Sequence, residues 1–464
     1  MNELAQKMIS GMTEKNSELE FKIKMNTELY RKGFGRIWLF NPDKTLYEGN
    51  ARIRLKLKKH EYKFGASLFM LGEFPSEELN AAFEETFSDT FNLGVIPFYW
   101  KDLEPEPGKL RFDKNSPKIY RRPPPDLCVE FCQKYGIAAK GHPPFWNQWL
   151  PDWLPNDRRE FMRFQERRVA QIAERYADKI FIWDAINEVF SANCDINTPY
   201  PENIMEEAFR LCEKYFPNSQ LVLNEDAHWW TYHGIHSPFY LLTKELIRNG
   251  YKPGGLGFQY HCFPQYFTGA EEYKRFMNAE NLYRMLDVYG RLEIPCSLTE
   301  TSVMARPDMM GEDCNETQAI VTERLYRLWF SHPATEALVW WNPVDGTAAG
   351  APFGDYEHGE NPLRSGLFFQ DLRPKTSGEI IRKLIKEEWH TETEVAYENG
   401  GDNRFHGFYG DYDAEICTDN GTYHKTITLS KYAPTNIRVK LADDDDHFPV
   451  QYQWMRLCNK SIVK

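Results

Sequence analysis

The sequence predicts an α/β fold, a (β/α)8 or TIM barrel that carries a small accessory β-sandwich. Eight short runs rich in β-branched and aromatic residues recur at intervals of roughly 40 residues, the length of one strand, one helix and two loops. Charged segments with helical periodicity lie between these runs. Regular alternation of strand and helix favours a parallel sheet, and eight such units favour its closure into a barrel.

The barrel elements follow one another along the middle of the chain. The predicted strands begin at Tyr62, Phe91, Gly136, Ile180, Gln220, Gly255, Ile294 and Glu336. The clearest helices between them are expected over residues 158–175 and 271–290. We therefore assign residues 59–386 to the barrel domain.

The two ends of the chain predict a different kind of structure. Residues 1–34 have apolar positions at spacings of three and four, which predicts an N-terminal helix. Residues 35–58 predict two strands, and the tail over 387–464 contains four more strand-like pieces. We expect these strands to share one sandwich, with the DDDD run at 443–446 as a solvated loop.

Composition narrows the class of partner. The net charge of -12 disfavours nucleic acid, whose phosphates require clustered Lys and Arg. No apolar run approaches the roughly 20 residues that span a bilayer, so no membrane partner is expected. Aromatic residues at 15% suit a groove that stacks against sugar rings.

The expected compartment is cytoplasmic. The charged first 32 residues leave no room for the apolar part of a secretory signal, so secretion is expected only if a signal has been removed. Nine cysteines without a CxxC pattern favour reduced, buried thiols over a disulfide framework. Neither a metal nor another cofactor is expected, and the sequence leaves the oligomeric state open.

Polar and ionisable residues stand at the C-terminal ends of several predicted strands. They are His142, Asn187, Glu188, Asn224, Glu225, Asp226, Gln259, His261, Glu300 and Asn342. Barrel enzymes place their active sites at this rim, so the pattern predicts an active site there. A retaining glycosidase needs two carboxyl groups about 5 to 5.5 Å apart, and Glu188 and Glu300 are the candidates.

Four motifs resemble glycoside hydrolase family 10, a xylanase family of retaining barrel enzymes. The segment Trp183-Asp184-Ala185-Ile186-Asn187-Glu188 resembles the WDxxNE acid/base motif of that family, and Leu298-Thr299-Glu300 resembles its nucleophile motif. The segment GFQYH at 257–261 resembles its GxxQxH strand, and residues 141–153 resemble its GHxxxWHxxxPxW stretch. The resemblance covers roughly residues 62–384 in the right order.

The resemblance implies roles for individual residues. Glu188 is implied as the acid/base and Glu300 as the nucleophile. Sugar-binding positions are implied, or occupied by substitutes, at Asn187, Gln259, His261, His142, Asn147, Trp146, Trp341 and Tyr99. Asn187 is expected to bind the sugar 2-hydroxyl and Trp341 to form the floor of the site, while His142 fits a sugar contact and a buried structural histidine equally well.

The sequence also departs from the family pattern. The ENxxKW segment of the second strand, whose polar residues grip the sugar, is replaced by VIPFYW at 95–100. Asn147 replaces the usual His after Trp146, and Ser302 replaces the usual Asp after the nucleophile. Loss of such hydrogen bonds costs orders of magnitude in discrimination, so an altered specificity is expected.

The predicted function is hydrolysis of β-linked glycosides with retention. The nearest substrates are β-1,4-xylo-oligosaccharides derived from xylan, as for an endo-β-1,4-xylanase. Two alternatives stay open: a β-glycosidase for another oligosaccharide or an aglycone conjugate, and a carbohydrate-binding relative without turnover.

Overall fold

A computed structural model of the chain describes residues 1–190, 199–226, 229–230, 233–263 and 269–442. The predicted acidic loop at 443–446 lies outside the described residues. The chain divides into two compact units, one of Met1–Tyr30 with Tyr62–Glu388 and the other of Arg31–Glu61 with Trp389–Lys464.

Strands are numbered in chain order. They are β1 (Lys32–Phe40), β2 (Ala51–His60), β3 (Lys63–Ser67), β4 (Leu93–Pro97), β5 (Ala138–His142), β6 (Ile182–Asn187), β7 (Gln220–Glu225), β8 (Gly255–His261), β9 (Cys296–Ser302), β10 (Thr335–Trp340), β11 (Glu392–Tyr397), β12 (Arg404–Phe408), β13 (Gly410–Thr418), β14 (Gly421–Leu429) and β15 (Asn436–Lys440).

Helices are numbered in the same way. They are α1 (Glu3–Thr13), α2 (Ser17–Arg31), α3 (Glu77–Thr90), α4 (Trp100–Leu103), α5 (Pro125–Tyr135), α6 (Arg158–Tyr176), α7 (Ile204–Tyr215), α8 (Pro238–Arg248), α9 (Ala270–Phe276), α10 (Ala279–Gly290), α11 (Pro307–Met310), α12 (Cys314–Ser331) and α13 (Thr376–Lys383).

The predicted (β/α)8 barrel is confirmed. Strands β3 to β10 form a closed barrel in the order β10-β3-β4-β5-β6-β7-β8-β9, and the neighbouring strands are parallel. Each predicted start lies within two residues of the observed one. Every residue of β4, β8 and β9 is buried, as expected for parallel strands covered on both faces.

The barrel interior determines which side chains reach the mouth. Leu93 and Val95 on β4 pack with Ala337 and Val339 on β10 in one core cluster, which also contains Phe69, Tyr99 and Trp341. Side chains alternate along a strand, so the same register that buries these aliphatic residues continues to Tyr99 and Trp341 beyond the strand ends.

Two predicted helices are each divided in the structure. The N-terminal segment forms α1 and α2, and the Asn16 side chain accepts the Leu19 N–H at 3.0 Å at the start of the second. The segment predicted over 271–290 forms α9 and α10, where Asn278 accepts the Asn281 N–H at 2.8 Å. In both places an asparagine satisfies a backbone donor that the first turn leaves unpaired, and a new helix begins.

The second unit contains two small sheets built from both ends of the chain, as predicted. One sheet has the order β12-β1-β15 and the other β11-β2-β13-β14. They meet through buried aromatic side chains: the ring of Phe405 lies 5.4 Å from that of Tyr412, and the Tyr397 hydroxyl accepts the Leu39 N–H at 3.4 Å. The edge strand β11 was not among the predicted strands.

Two other features bear on the sequence expectations. No helix in the described ranges is long and apolar enough to cross a bilayer. None of the seven cysteines that fall within those ranges forms a disulfide, and six of them are buried.

Candidate active site

Glu188 and Glu300 lie on the same rim of the barrel. Glu300 is inside β9 and only 3% exposed, whereas Glu188 directly follows β6 and is partly exposed. Glu188 has a left-handed backbone with φ of 54°, and its N–H donates to the Asn224 carbonyl at 3.0 Å. A non-glycine residue in this conformation is strained, and such strain concentrates at functional sites.

A chain of amide hydrogen bonds joins the two carboxyl groups. Gln259 Nε2 donates to Glu188 Oε1 at 3.0 Å and to Asn187 Oδ1 at 3.3 Å. Asn224 Nδ2 donates to the same Asn187 oxygen at 2.7 Å and to Glu300 Oε1 at 2.9 Å. The three amide side chains therefore connect the two carboxyl groups at the barrel rim.

Thr299 determines which way the Asn224 amide faces. Its hydroxyl donates to Asn224 Oδ1 and also lies 3.1 Å from the Phe258 carbonyl oxygen. With the oxygen of Asn224 engaged in this way, its Nδ2 group is directed at Glu300 and Asn187.

Two histidines approach Glu300. His261 Nε2 is 3.2 Å from Glu300 Oε2, and its Nδ1 is 3.0 Å from the Ser302 hydroxyl. His142 Nε2 is 3.9 Å from Glu300 Oε1, and its Nδ1 is 2.8 Å from Asp184 Oδ2. Ser302 thus orients His261 where the family pattern has an Asp.

A buried ion pair stands behind His142. Lys140 Nζ lies 2.8 Å from Asp184 Oδ2, the same oxygen that contacts His142. Asp184 is fully buried, and the cation keeps the pKa of this carboxyl below its usual value despite the burial. The charged Asp184 in turn orients the imidazole ring of His142.

Burial dominates the electrostatics of the pair. It raises the pKa of Glu188 to about 7, and the charge of Glu300 adds to the shift. Burial also raises the pKa of Glu300 to about 7, although His142 and Lys140 oppose it. Burial lowers the pKa of His261, which favours its neutral form. Two coupled carboxyl groups of this kind hold one proton between them near neutral pH.

Aromatic side chains enclose the carboxyl groups. Trp146 Nε1 donates to Glu188 Oε2 at 3.1 Å. The ring of Trp341 lies 5.3 Å from that of His142 and 6.2 Å from that of His261. The Tyr99 ring is 5.2 Å from Trp146 and 5.7 Å from His142.

One amide group beside the carboxyl pair has no partner among the described residues and could bind a ligand. Asn187 Nδ2 is buried and has no hydrogen-bond partner in the part of the chain that the structure describes. A buried donor without a partner costs free energy, so a hydrogen bond from this group to a ligand oxygen would favour binding of the ligand.

Asn147, a predicted site residue, does not contact the carboxyl groups, whereas Gln148 and Asn224, which were not predicted as site residues, do. Among the described residues Asn147 makes no hydrogen bond to either carboxyl group, and its buried Oδ1 has no partner. Its neighbour Gln148 reaches Glu188 Oε2 through Nε2 at 3.4 Å. Asn224 contacts Glu300, although the sequence indicated it only as a polar strand end.

Metal ligation has no candidate here. Within the described ranges no group of three or more His, Cys, Asp or Glu side chains is arranged to hold an ion.

The chain was compared with known proteins. The model of the family described as Glycosyl hydrolase family 10 matches residues 100–375. The anti-sigma-I factor RsgI6 of Acetivibrio thermocellus is 24% identical over 392 residues, which are 83% of this chain and 45% of that relative. Endo-1,4-beta-xylanase 2 of Arabidopsis thaliana is 24% identical over 408 residues, 84% of this chain and 33% of the relative. This chain therefore spans less than half the length of either relative.

A solved structure gives the same fold. The crystal structure of xylanase 10B from Thermotoga petrophila in complex with xylobiose superposes with a TM-score of 0.57 at 20% identity, covering 71% of this chain and 95% of that one.

Proposed function

The chain belongs to glycosyl hydrolase family 10, and from that premise we propose that it is a retaining glycosidase that cleaves β-linked oligosaccharides, with xylan-derived β-1,4-xylo-oligosaccharides as the nearest substrates. The observation that carries the proposal is the pair of carboxyl groups, Glu188 and Glu300, joined through Gln259, Asn187 and Asn224. Two carboxyl groups that share one proton near neutral pH have the charge states that double displacement requires.

In the first step the Glu300 carboxylate attacks the anomeric carbon. The bond from that carbon to the leaving oxygen breaks, and the proton of Glu188 moves to the leaving oxygen. The product is a glycosyl ester of Glu300. His142, Lys140 and the Asn224 amide lower the pKa of Glu300 against the effect of burial, whereas the charge of Glu300 raises that of Glu188, so we assign the shared proton to Glu188.

In the second step Glu188 acts as a base. It takes a proton from water, the water oxygen attacks the same carbon, and the ester bond to Glu300 breaks. Two inversions give net retention. Gln259, Trp146 and Gln148 donate to Glu188 and stabilise the carboxylate that exists between the two steps.

Asn187 is the proposed contact to the sugar 2-hydroxyl. Its unpaired Nδ2 can donate to that oxygen, while its Oδ1 is already engaged by Gln259 and Asn224. Hydrogen bonds to the 2-hydroxyl strengthen as the oxocarbenium-like transition state forms, and they supply several kcal/mol in such enzymes.

Xylan-derived substrates are supported by the names of relatives rather than by this pocket. One relative is named a xylanase, and a neighbour with the same barrel fold was solved with xylobiose. The apolar segment at 95–100 favours substrates with a different glycone, or conjugates of a sugar with an aglycone. A panel of xylo-oligosaccharides, other β-linked oligosaccharides and aryl glycosides separates these substrates by their kcat/KM values.

The stereochemistry of the first product tests the mechanism. We expect ¹H NMR of the reaction mixture to show the β-anomer before mutarotation. Glu300→Gln should abolish turnover while sugar binding persists. Formation of the α-anomer, or unchanged rates in Glu300→Gln, would refute the proposal.

A second candidate is a carbohydrate-binding relative without turnover. It is favoured by the similarity to a relative named an anti-sigma-I factor rather than a hydrolase. Under this alternative, xylo-oligosaccharides would bind the wild-type protein, and no substrate in the panel would release a reducing end.

We further propose the domain assignment and the compartment. We propose residues 1–34 as the N-terminal helical segment, residues 59–386 as the catalytic domain, and residues 35–58 and 387–464 as the accessory sandwich; a division into two compact units with bounds near 31, 61 and 389 supports this. We propose a cytoplasmic location, which is supported by the fact that the seven cysteines of the described ranges form no disulfide.

A further inference from the structure

An arginine occupies an aromatic box beside the carboxyl pair, in the loop that follows β4. The guanidinium carbon of Arg122 lies 4.1 Å from the centroid of the Tyr99 ring, 5.2 Å from that of Trp149 and 5.8 Å from that of Phe69. The box stands at the end of the strand where the family's polar residues are replaced by VIPFYW.

Arg122 is only partly used by the protein. Its Nε donates to Asp102 Oδ2 at 2.7 Å, and its Nη1 donates to the Arg121 carbonyl at 2.9 Å. Within the part of the chain that the structure describes, Nη2 has no hydrogen-bond partner. An arginine with a purely structural role would be expected to use Nη2 as well, because a guanidinium carries five N–H donors in a fixed planar arrangement.

Arg121 adds a second cation at the same place. It has a left-handed backbone with φ of 62°, its guanidinium carbon is 5.4 Å from the Phe69 ring, and its Nη1 donates to the Thr347 carbonyl. Burial and the charge of Arg122 lower the pKa of Arg121 to about 10, and Glu360 opposes the shift. Of the two guanidinium groups only Arg122 forms an ion pair within the described ranges, so the loop carries excess positive charge.

The aromatic rings around Arg122 are separated from the two carboxyl groups by one layer of side chains. Tyr99 contacts both Trp146, whose indole donates to Glu188, and His142, which faces Glu300. Burial is the main cause of the raised pKa of Tyr99. The charges of both carboxyl groups add to the increase, and those of both arginines oppose it. A ligand that reaches Tyr99 from the pocket therefore also meets Arg122.

Trp149 presents an exposed apolar ring beside Tyr99 and Arg122. Its side chain is 44% exposed and lies nearly parallel to the Tyr99 ring, with centroids 6.0 Å apart. Its φ of 55° is left-handed, and its carbonyl accepts the Lys101 N–H at 2.8 Å, which holds the strained backbone. An exposed indole held in this way suits stacking against a sugar ring.

We propose that Arg122, Tyr99 and Trp149 form a subsite for a sugar carboxylate, so that the preferred substrates contain a uronic acid. The inference rests on the proposed glycosidase function and names the substrate class of that site. Arg122 Nη2 donates to a carboxylate oxygen in surroundings poor in water, where a charge-assisted bond is about twice as strong as one to a neutral hydroxyl. Trp149 stacks on the ring that carries the carboxylate.

Matched substrates test the proposal. 4-Nitrophenyl β-D-glucuronide and β-D-glucoside differ only at C6, where one has a carboxylate and the other a hydroxymethyl group. We expect wild-type kcat/KM to favour a uronic acid by roughly ten-fold or more, as one charge-assisted bond allows. Glucuronosyl-substituted and unsubstituted xylo-oligosaccharides form the second pair, which detects a carboxylate on a neighbouring branch rather than on the cleaved sugar.

The variant for this test removes the cation without leaving an unpaired anion. The double variant Arg122→Gln with Asp102→Asn should lower the uronic-to-neutral ratio of kcat/KM at least ten-fold, and Arg122→Lys should retain part of it. The control is Arg382→Gln with Asp89→Asn, an exposed ion pair between α13 and α3, which should leave the ratio unchanged. A ratio near one in the wild type for both substrate pairs, or a ratio that the Arg122 double variant does not change, overturns the proposal.

A binding measurement makes the test independent of turnover. Saturation-transfer NMR on an equimolar mixture of methyl β-D-glucuronide and methyl β-D-glucoside should show stronger saturation of the glucuronide, and 0.5 M NaCl should weaken the difference. Equal saturation overturns the subsite. Selective binding without hydrolysis of any glycoside supports the subsite and refutes the proposed glycosidase function, so the two failures are distinguishable.

Discussion

Two parts of the barrel rim differ in how they relate to the family. At the ends of β6 and β9, Glu188 and Glu300 are held by amides in a closed hydrogen-bond chain. At the end of β4, the pocket is lined by aromatic rings around Arg122. The family match begins at residue 100, the last residue of the replaced segment 95–100. The catalytic residues that we propose at β6 and β9 are thus separate from the sugar-carboxylate subsite that we propose after β4, and only the second lies where the sequence departs from the family pattern.

The largest effect is expected at the proposed nucleophile. Glu300→Gly should lower kcat by about 10⁴-fold or more, because no glycosyl ester can form. Azide should restore turnover and give a glycosyl azide of inverted, α configuration, detected by NMR. Glu336→Gly, at a partly exposed carboxyl on the neighbouring β10, is the control and should need no azide. Absence of any rescue would contradict the assignment of Glu300.

The next effect concerns the amide chain. Asn224→Ala removes the donor to Glu300 and to Asn187, and we expect kcat to fall about 10²-fold, as for loss of one well-placed donor. Asn249→Ala, which removes an exposed contact to Glu206, should change nothing. If Asn224→Ala raised KM and left kcat unchanged, Asn224 would belong with the sugar-choosing groups instead.

The pH profile of kcat/KM should be a narrow bell near neutrality. Both carboxyl groups have a pKa of about 7, so activity falls on the acid side as Glu300 binds a proton and on the alkaline side as Glu188 loses one. Trp146→Phe removes a donor that favours charged Glu188, which raises its pKa and moves the alkaline limb upward. We expect kcat to drop about ten-fold as well. An alkaline limb that moved downward would contradict the role of Trp146.

The smallest effect concerns stability. Glu225 is buried at the end of β7 and accepts the N–H groups of Phe190 and Asp226, both at 2.9 Å. Burial raises its pKa from 4.5 to about 8, so its stabilising proton is fully bound below pH 4.5 and lost as the pH rises through 8. Glu225→Gln should therefore reduce the fall in Tm between pH 5 and pH 9 by a few degrees, measured by calorimetry. An unchanged slope would show that other groups cause that fall.

The barrel was predictable because its strands are buried on both faces. Such strands appear in the sequence as short apolar runs, and each predicted start lies within two residues of the observed one. Strand β11 was missed because it alternates Glu and Thr at an edge that faces solvent. The breaks at Asn16 and Asn278 were missed because a single asparagine is a weak signal inside a longer amphipathic pattern.

The carboxyl pair could be predicted from motifs, whereas much of its surroundings could not. Glu188 directly follows β6 and Glu300 lies near the C-terminal end of β9, and the register of these strands positions them. Gln148 replaces Asn147 as a contact of Glu188 in a loop where Trp149 has a left-handed backbone, and residue spacing does not reveal that turn. Arg122 reaches Tyr99 through a loop of more than 20 residues held by tertiary contacts, which periodicity cannot predict.

The connectivity of the accessory sheets has a consequence for biosynthesis. Strands β1 and β2 are each paired on both sides, and all four of their partner strands follow the whole barrel along the chain. At a synthesis rate of about 5 to 20 residues per second, the N-terminal pair waits roughly 15 seconds to one minute on the ribosome with unpaired edges. The alternating Lys and Arg side chains of β2 are of the kind that disfavours edge-to-edge association of unpaired strands.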